Sequence, residues 1–187
     1  WTTTETFSEN NGKWTEINCS DDGKKFTVCV DGEVAGEVNW DMHGKHNRMN
    51  ALAAIAAARH AGVPVKQACA AMTEFKGIKR RLEVKGEVNG ITVYDDFAHH
   101  PTAIEETIDA MKEVSKDGAV FAVLEPRSNT MRMGIHKDDM MRSLKGADKV
   151  LLYQPAGLDW DLSSTVESSD IKAKVYEDVD IMIEALC

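Results

Sequence analysis

The chain has 187 residues, 43% of them hydrophobic, and carries 22 basic against 31 acidic side chains for a formal charge of −9. That apolar share excludes a disordered chain, and the length suits one full domain, or one with a piece of another. The acidic balance argues against nucleic acid or an anionic membrane as a partner, and no apolar run approaches the ~20 residues of a membrane span. The chain opens at Trp1 with neither an initiator Met nor a signal peptide, and a fragment of a longer protein is expected. Cys19, Cys29, Cys69 and Cys187 form no C-x-x-C pair and are expected to be reduced thiols of a cytoplasmic protein.

The first forty residues read as β structure. Trp14 to Cys19 alternates loosely, Asp21-Asp22-Gly23 supplies turn chemistry, and Phe26, Val28 and Val30 alternate with polar or small neighbours. Asp31-Gly32 signals a hairpin into a third strand over 33–40. A helix rich in Ala and Leu is expected over 46–61, stopped by Gly62, and Pro64 opens a second one to about Phe75. The composition changes at Lys76-Gly77-Ile78-Lys79-Arg80-Arg81, where a domain boundary is placed. Strands over 82–88 and 91–95 flank Asn89-Gly90, a strong hairpin signal. Pro101 opens a helix with Ile104, Ile108 and Met111 on one face. The continuous apolar run 119–124 reads as a strand buried on both faces of a parallel sheet. A polar loop, a helix through Met140, Met141 and Leu144, and a strand over 150–153 follow. A weaker strand over 173–176 and a helix with Val179, Met182, Ile183 and Leu186 close the series. The alternation of strand and helix argues a parallel α/β sheet.

Four segments carry residues suited to chemistry. In Gly44-Lys45-His46-Asn47-Arg48-Met49-Asn50, Asn47 and Asn50 fall three apart on the first turn of the alanine-rich helix. Two amides and a histidine at a helix N-terminus can grip a nucleotide; the plain alternative makes Asn47 an N-cap and Asn50 an ordinary surface residue. Lys79-Arg80-Arg81 suits a phosphate clamp, or is simply a solvated charge run. Tyr94-Asp95-Asp96-Phe97-Ala98-His99-His100-Pro101-Thr102 lies between a strand and a helix, where open α/β sheets bind ligands. Asp95 or Asp96 can hold Mg²⁺ or a ribose hydroxyl, and His99 and His100 stand where the helix begins. A polar turn with one of the two imidazoles as N-cap is the plain alternative, and a zinc site lacks obvious further ligands. Glu125 to Gly134 follows another apolar strand, and its Arg127 and Arg132 can bind substrate carboxylates, although an ordinary surface loop would look the same. Neither a G-x-x-x-x-G-K-[ST] phosphate loop nor a G-x-G-x-x-G fingerprint is present, so phosphates of ATP would be cradled by other sequence.

Taken in this order, the segments around Gly44, Arg80-Arg81-Leu82-Glu83 and Asp95 to Thr102 resemble the Mur ligase family, over roughly residues 33–153. The family makes amide bonds in bacterial peptidoglycan assembly at the expense of ATP. Tyr94 to Ile104 and Pro126-Arg127-Ser128-Asn129-Thr130-Met131 are most similar to the branch that joins L-alanyl-γ-D-glutamyl-meso-diaminopimelate to UDP-N-acetylmuramate in cell-wall recycling. The branch that adds L-alanine alone is the alternative. It usually carries Tyr where Phe97 stands, and a His-Arg pair where this chain has Arg127-Ser128. The resemblance implies that 1–78 ends a central ATP-binding domain and that 79–187 is most of a Rossmann-like, mostly parallel α/β domain. It places Asn47 and Asn50 at the adenine, with His46 among the nucleotide-binding residues, Arg81 at nucleotide phosphates, and Asp96 at the ribose or ordering that edge. His99, His100, Arg127 and Arg132 are placed at the incoming peptide. ATP and Mg²⁺ are the implied cofactors, with the Mg²⁺ ligands and the catalytic lysine in other sequence. The chain by itself is expected to turn nothing over. A nucleotide-binding module without catalysis, or a metal-dependent hydrolase on Asp95, Asp96, His99 and His100, are the competing readings from other classes.

Overall fold

A computed structural model describes residues 4–186 and divides the chain into two compact units, 1–96 and 97–187. The first unit opens with three antiparallel strands in the order β1 (Trp14–Ile17), β2 (Lys25–Val30) and β3 (Glu33–Asn39). Asp31 and Gly32, both at positive φ (53° and 82°), make the tight turn between β2 and β3, a backbone twist that matches the strands it joins. Helices α1 (Lys45–His60) and α2 (Val65–Glu74) follow, with Pro64 at the N-cap of α2. Trp14, Phe26, Val28, Val38 and Trp40 from the sheet meet Ala51, Leu52 and Ile55 of α1 in one core. Removing this apolar area from water is what holds helices to strands. The unit ends in a two-stranded hairpin, β4 (Glu83–Val88) with β5 (Ile91–Asp95), turned by Asn89 and Gly90 at φ 52° and 78°.

The second unit carries a three-stranded parallel sheet, in the order β6 (Phe121–Leu124), β7 (Lys149–Tyr153) and β8 (Ala173–Tyr176). Helix α3 (Pro101–Ser115) precedes it, with Pro101 in its first turn as expected. Between β6 and β7 run α4 (Asn129–Arg132) and α5 (Lys137–Ser143); α6 (Leu162–Glu167) and α7 (Val179–Glu184) flank β8. Ile104 and Ile108 of α3, Met140 and Met141 of α5, and Val150 and Leu152 of β7 form this unit's core. The central strand is β7, with Val150, Leu151 and Leu152 all buried.

Three expectations need correction. The run 119–124 is not buried on both faces: β6 lies at an edge of its sheet, and Phe121 and Val123 are each 49% exposed. A continuous apolar stretch reads the same in sequence whether one face or two are covered. The segment after β5 does not leave a parallel strand, because among the described residues β5 pairs with β4 alone, and antiparallel. The polar loops contain two short helices that hydrophobic spacing misses, each with a side-chain cap: the Ser128 hydroxyl accepts from Met131 N–H, and the Asp161 carboxylate accepts from Ser163 and Ser164 N–H. Cys19 is exposed, Cys29 and Cys69 are buried, and all three are free thiols; Cys187 lies outside the described residues. No helix among the described residues is long and apolar enough to cross a membrane.

Candidate functional site

In the first unit the candidate residues gather at the start of α1. Gly44, at φ 85°, is the N-cap and offers no side chain, so the first-turn N–H groups are not capped from within. Asn47 is therefore not the cap. It lies one turn in, buried, and its Nδ2 donates to the His43 carbonyl at 2.7 Å. His43 Nδ1 in turn lies 3.2 Å from the Asp22 carbonyl, which ties the 41–44 segment to the turn before β2. Burial holds the His43 imidazole below its ordinary pKa and favours the neutral ring. His46 is half-buried, and Asn50 is exposed. The two asparagines differ in burial although three residues separate them: Asn47 fastens the loop, and Asn50 presents its amide to solvent. Arg48, between them, is buried, and its Nε donates to Glu16 Oε1 of β1 at 2.9 Å.

At the other end of this unit the three cations behave differently from one another. Arg80 pairs with Asp95 across 3.4 Å, and its backbone N–H donates to Glu83 Oε2. That bond, first, and Lys85 hold the Glu83 carboxyl below the usual carboxylate range. Arg80 and Leu82 both take positive φ, 61° and 48°. The Leu82 N–H donates to Asp96 Oδ2 at 2.8 Å, so Asp96 pins this strained turn to the end of β5. Arg81, between them, is exposed. Lys79 is exposed as well, so the run presents both Lys79 and Arg81 to solvent while Arg80 is held by Asp95.

In the second unit His99 and His100 precede α3. His100 occupies the N-cap position without a side-chain cap bond, so neither imidazole acts as a capping group. His99 Nδ1 lies 2.9 Å from the Phe97 carbonyl, and the two rings meet at a tilt of 56° with centroids 4.8 Å apart. The His100 ring meets the His136 ring edge-on at 5.2 Å. Beside them opens a shallow cleft of about 240 Å³ including its mouth. Buried Met131 and Met140, with half-buried Pro101 and Trp160, form its floor; His99, His136 and Lys137 stand around it. Trp160 is fixed there because its Nε1 donates to the Met131 carbonyl at 2.8 Å. Arg132 is tied down as well, donating to the Gly157 carbonyl at 2.9 Å. Arg127 is exposed, and its side chain makes no hydrogen bond or ion pair with a described residue. The structure therefore brings His99 and His100 together with His136 and Lys137, two residues that sequence reasoning passed over. Their only signal was a His-Lys pair following the Arg132 loop.

The family model for the Mur ligase glutamate ligase domain matches residues 80–187, and that for the Mur ligase middle domain matches 1–58. The chain belongs to the Mur ligase family. The UDP-N-acetylmuramate–L-alanyl-γ-D-glutamyl-meso-2,6-diaminoheptandioate ligase of Escherichia coli is 46% identical over 98% of the chain. The UDP-N-acetylmuramate–L-alanine ligase of Lawsonia intracellularis is 33% identical over 96%. Among solved structures, a murein peptide ligase from Psychrobacter arcticus is similar, with 46% identity, 97% of the chain and 39% of that chain covered, and a TM-score of 0.67. A UDP-N-acetylmuramate–alanine ligase from Thermotoga maritima, 24% identical, shares the fold over 98% of the chain and 41% of its own, with a TM-score of 0.77. The chain spans 40% of the length of the Escherichia coli relative and 42% of the Lawsonia one. As a Mur ligase it carries the α1 start within the middle-domain match, and Arg81, Asp96 and the histidine cleft within the other.

The residues present do not fit a divalent cation. Among the described residues no group of three His, Cys, Asp or Glu converges on a metal position. Asp95 and Asp96 are engaged with Arg80 and the Leu82 N–H, which removes the basis for a hydrolase metal on that quartet.

Proposed function

We propose that this chain is part of a cytoplasmic, ATP-dependent ligase that joins L-alanyl-γ-D-glutamyl-meso-diaminopimelate to UDP-N-acetylmuramate in peptidoglycan recycling. The observation that carries the reading is the identity near full coverage: 46% to the tripeptide-adding relative against 33% to one that adds L-alanine. On this reading 1–78 completes the ATP-binding domain and 79–187 is the domain that receives the peptide.

ATP phosphorylates the muramate carboxylate, the peptide amine attacks the acyl phosphate, and phosphate leaves. Such chemistry runs on positioning and on cations set against developing charge. The start of α1, with His46, Asn47 and Asn50, takes the adenine end of ATP: uncapped N–H groups and an exposed amide suit a polar, planar partner. Arg81 reaches nucleotide phosphates from its exposed position, on a turn that Asp96 holds in shape. Of the two parts the resemblance implies for Asp96, holding the ribose or ordering that edge, the bond from the Leu82 N–H supports the second, which positions Arg81. Arg127 offers its unengaged guanidinium to a peptide carboxylate, and His99 and His100 border the same acceptor. Arg132 serves by bracing the 155–158 segment through Gly157. Mg²⁺, implied by the family, would neutralise charge on the transferred phosphoryl group from ligands in other sequence.

ADP release by the full-length ligase carrying this chain, with UDP-N-acetylmuramate and either tripeptide or L-alanine, tests the reading. Preference for tripeptide is expected. Preference for L-alanine would place the chain with the other branch.

A further inference from the structure

The cleft beside α3 has a chemistry that the acceptor reading leaves unused. Its floor is apolar, built from Met131, Met140, Pro101 and Trp160, and is fixed in place by the Trp160 Nε1 bond to the Met131 carbonyl. Its free interior is about 10 Å³, room for one water, so a ligand lies across it and is not engulfed. Around the floor the polar groups differ in kind. Lys137 is an exposed ammonium with three donors and makes no ion pair with a described residue. His99 has its Nδ1 on the Phe97 carbonyl, which leaves Nε2 as the nitrogen turned to a ligand. His136 meets His100 edge-on, with its Nδ1 4.0 Å from Asp139 Oδ2, and Asp139 is itself paired with Arg142.

We propose that this cleft is the subsite for the far end of the acceptor: an aliphatic stem that terminates in both a carboxylate and an ammonium group. The methylenes lie over Met131 and Trp160, the carboxylate meets Lys137, and the ammonium donates to His99 Nε2. An apolar floor edged by one cation and one acceptor selects such a zwitterion over a plain amine or a plain acid, because either would leave one of these groups without its partner. The inference rests on the tripeptide reading above, and within it makes Lys137 a specificity-determining residue.

The test uses the full-length ligase and two tripeptides, one with meso-diaminopimelate and one with L-lysine at the third position. The second keeps the stem and the amine but lacks the distal carboxylate. Wild-type enzyme is expected to show a lower KM for the diaminopimelate peptide. Lys137→Ala should raise that KM about tenfold, the loss of one charge-assisted hydrogen bond, and leave the KM for the lysine peptide and for ATP unchanged. His99→Ala should raise KM for both peptides, since both present the amine. Equal KM values for the two peptides in wild type, or an equal effect of Lys137→Ala on both, would overturn the subsite while leaving the ligase reading intact. Failure of wild type to use either tripeptide would overturn the ligase reading itself. Lys137 is exposed, so its truncation leaves the core untouched, and an unchanged Tm confirms that the KM change is local.

Discussion

Replacing Arg48 with Met is the most informative perturbation of the first unit. Arg48 Nε and Glu16 Oε1 lie 2.9 Å apart, with side chains 10% and 2% exposed, and join α1 to β1 across 32 residues of sequence. Glu16 Oε2 is buried as well and has no hydrogen-bond partner. Met keeps the length and apolar stem of Arg, so the packing term is small, less than about 1.5 kcal/mol. What remains is a buried carboxylate stripped of its cation, a loss of about 3–5 kcal/mol. Against a whole-domain stability of about 5–15 kcal/mol that is a large share. Urea titration of the chain, followed by tryptophan emission and far-ultraviolet dichroism, reads the loss. The double variant Glu16→Leu with Arg48→Met removes the pair together and should recover most of the loss, because an apolar pair in a dry site needs no partner. A single variant costing under about 1 kcal/mol, or a double variant no better than the single one, would refute the account of this pair as a buried, mutually dependent contact.

Gly36→Ala places a Cβ 2.7 Å from Cys69 Sγ, where α2 rests on β3, and should cost about 1–3 kcal/mol in the same titration, since the buried thiol has little room to yield. His43 has its pKa lowered chiefly by burial, so its contribution to stability is present above the unfolded value near 6.5 and is lost as pH falls through the lower folded value; His43→Gln should flatten that part of a Tm–pH curve. Arg127→Ala in the full-length ligase should raise the KM for peptide and spare that for ATP, a loss of about 1.5–3 kcal/mol in kcat/KM, and equal damage to both substrates would mean that the loop is structural.

Where sequence reading succeeded, a local signal and the tertiary structure agreed. Asn89-Gly90 and Asp31-Gly32 demand positive φ at both turn positions, and both are hairpin turns. Ile104 and Ile108 mark the buried face of α3, and the 173–176 strand is found with the same bounds. Where it failed, the deciding information was not local. Phe121 and Val123 are apolar, as a central strand requires, yet β6 is an edge, a property of which strands pair and not of the strand itself. The short helices α4 and α6 are set by the Ser128 and Asp161 caps, a single-residue signal that a search for apolar periodicity passes over.

The candidate site shows the same division more sharply, because a polar residue in a motif has two uses that look alike in sequence. Asp96, Arg132 and Asn47 all stand in segments that carry the family resemblance, and each has a backbone partner: the Leu82 N–H, the Gly157 carbonyl and the His43 carbonyl. A group so engaged has already exchanged water for protein, and a ligand that took it over would have to offset the bond it breaks. Arg127, Arg81 and Asn50 are exposed and still face water, so binding to them gains a contact without dismantling one. His99 lies between the two cases. Its Nδ1 is used up on the Phe97 carbonyl, and that bond leaves Nε2 as the nitrogen turned to a ligand. On the proposed reading Asp96 and Arg132 hold the frame, Asn47 both fastens its loop and borders the adenine, and the unengaged Arg127, Arg81 and Asn50 read the ligands. Substitutions of Asp96 should accordingly act on nucleotide binding through the turn that presents Arg81, and substitutions of Arg81 should act on it directly.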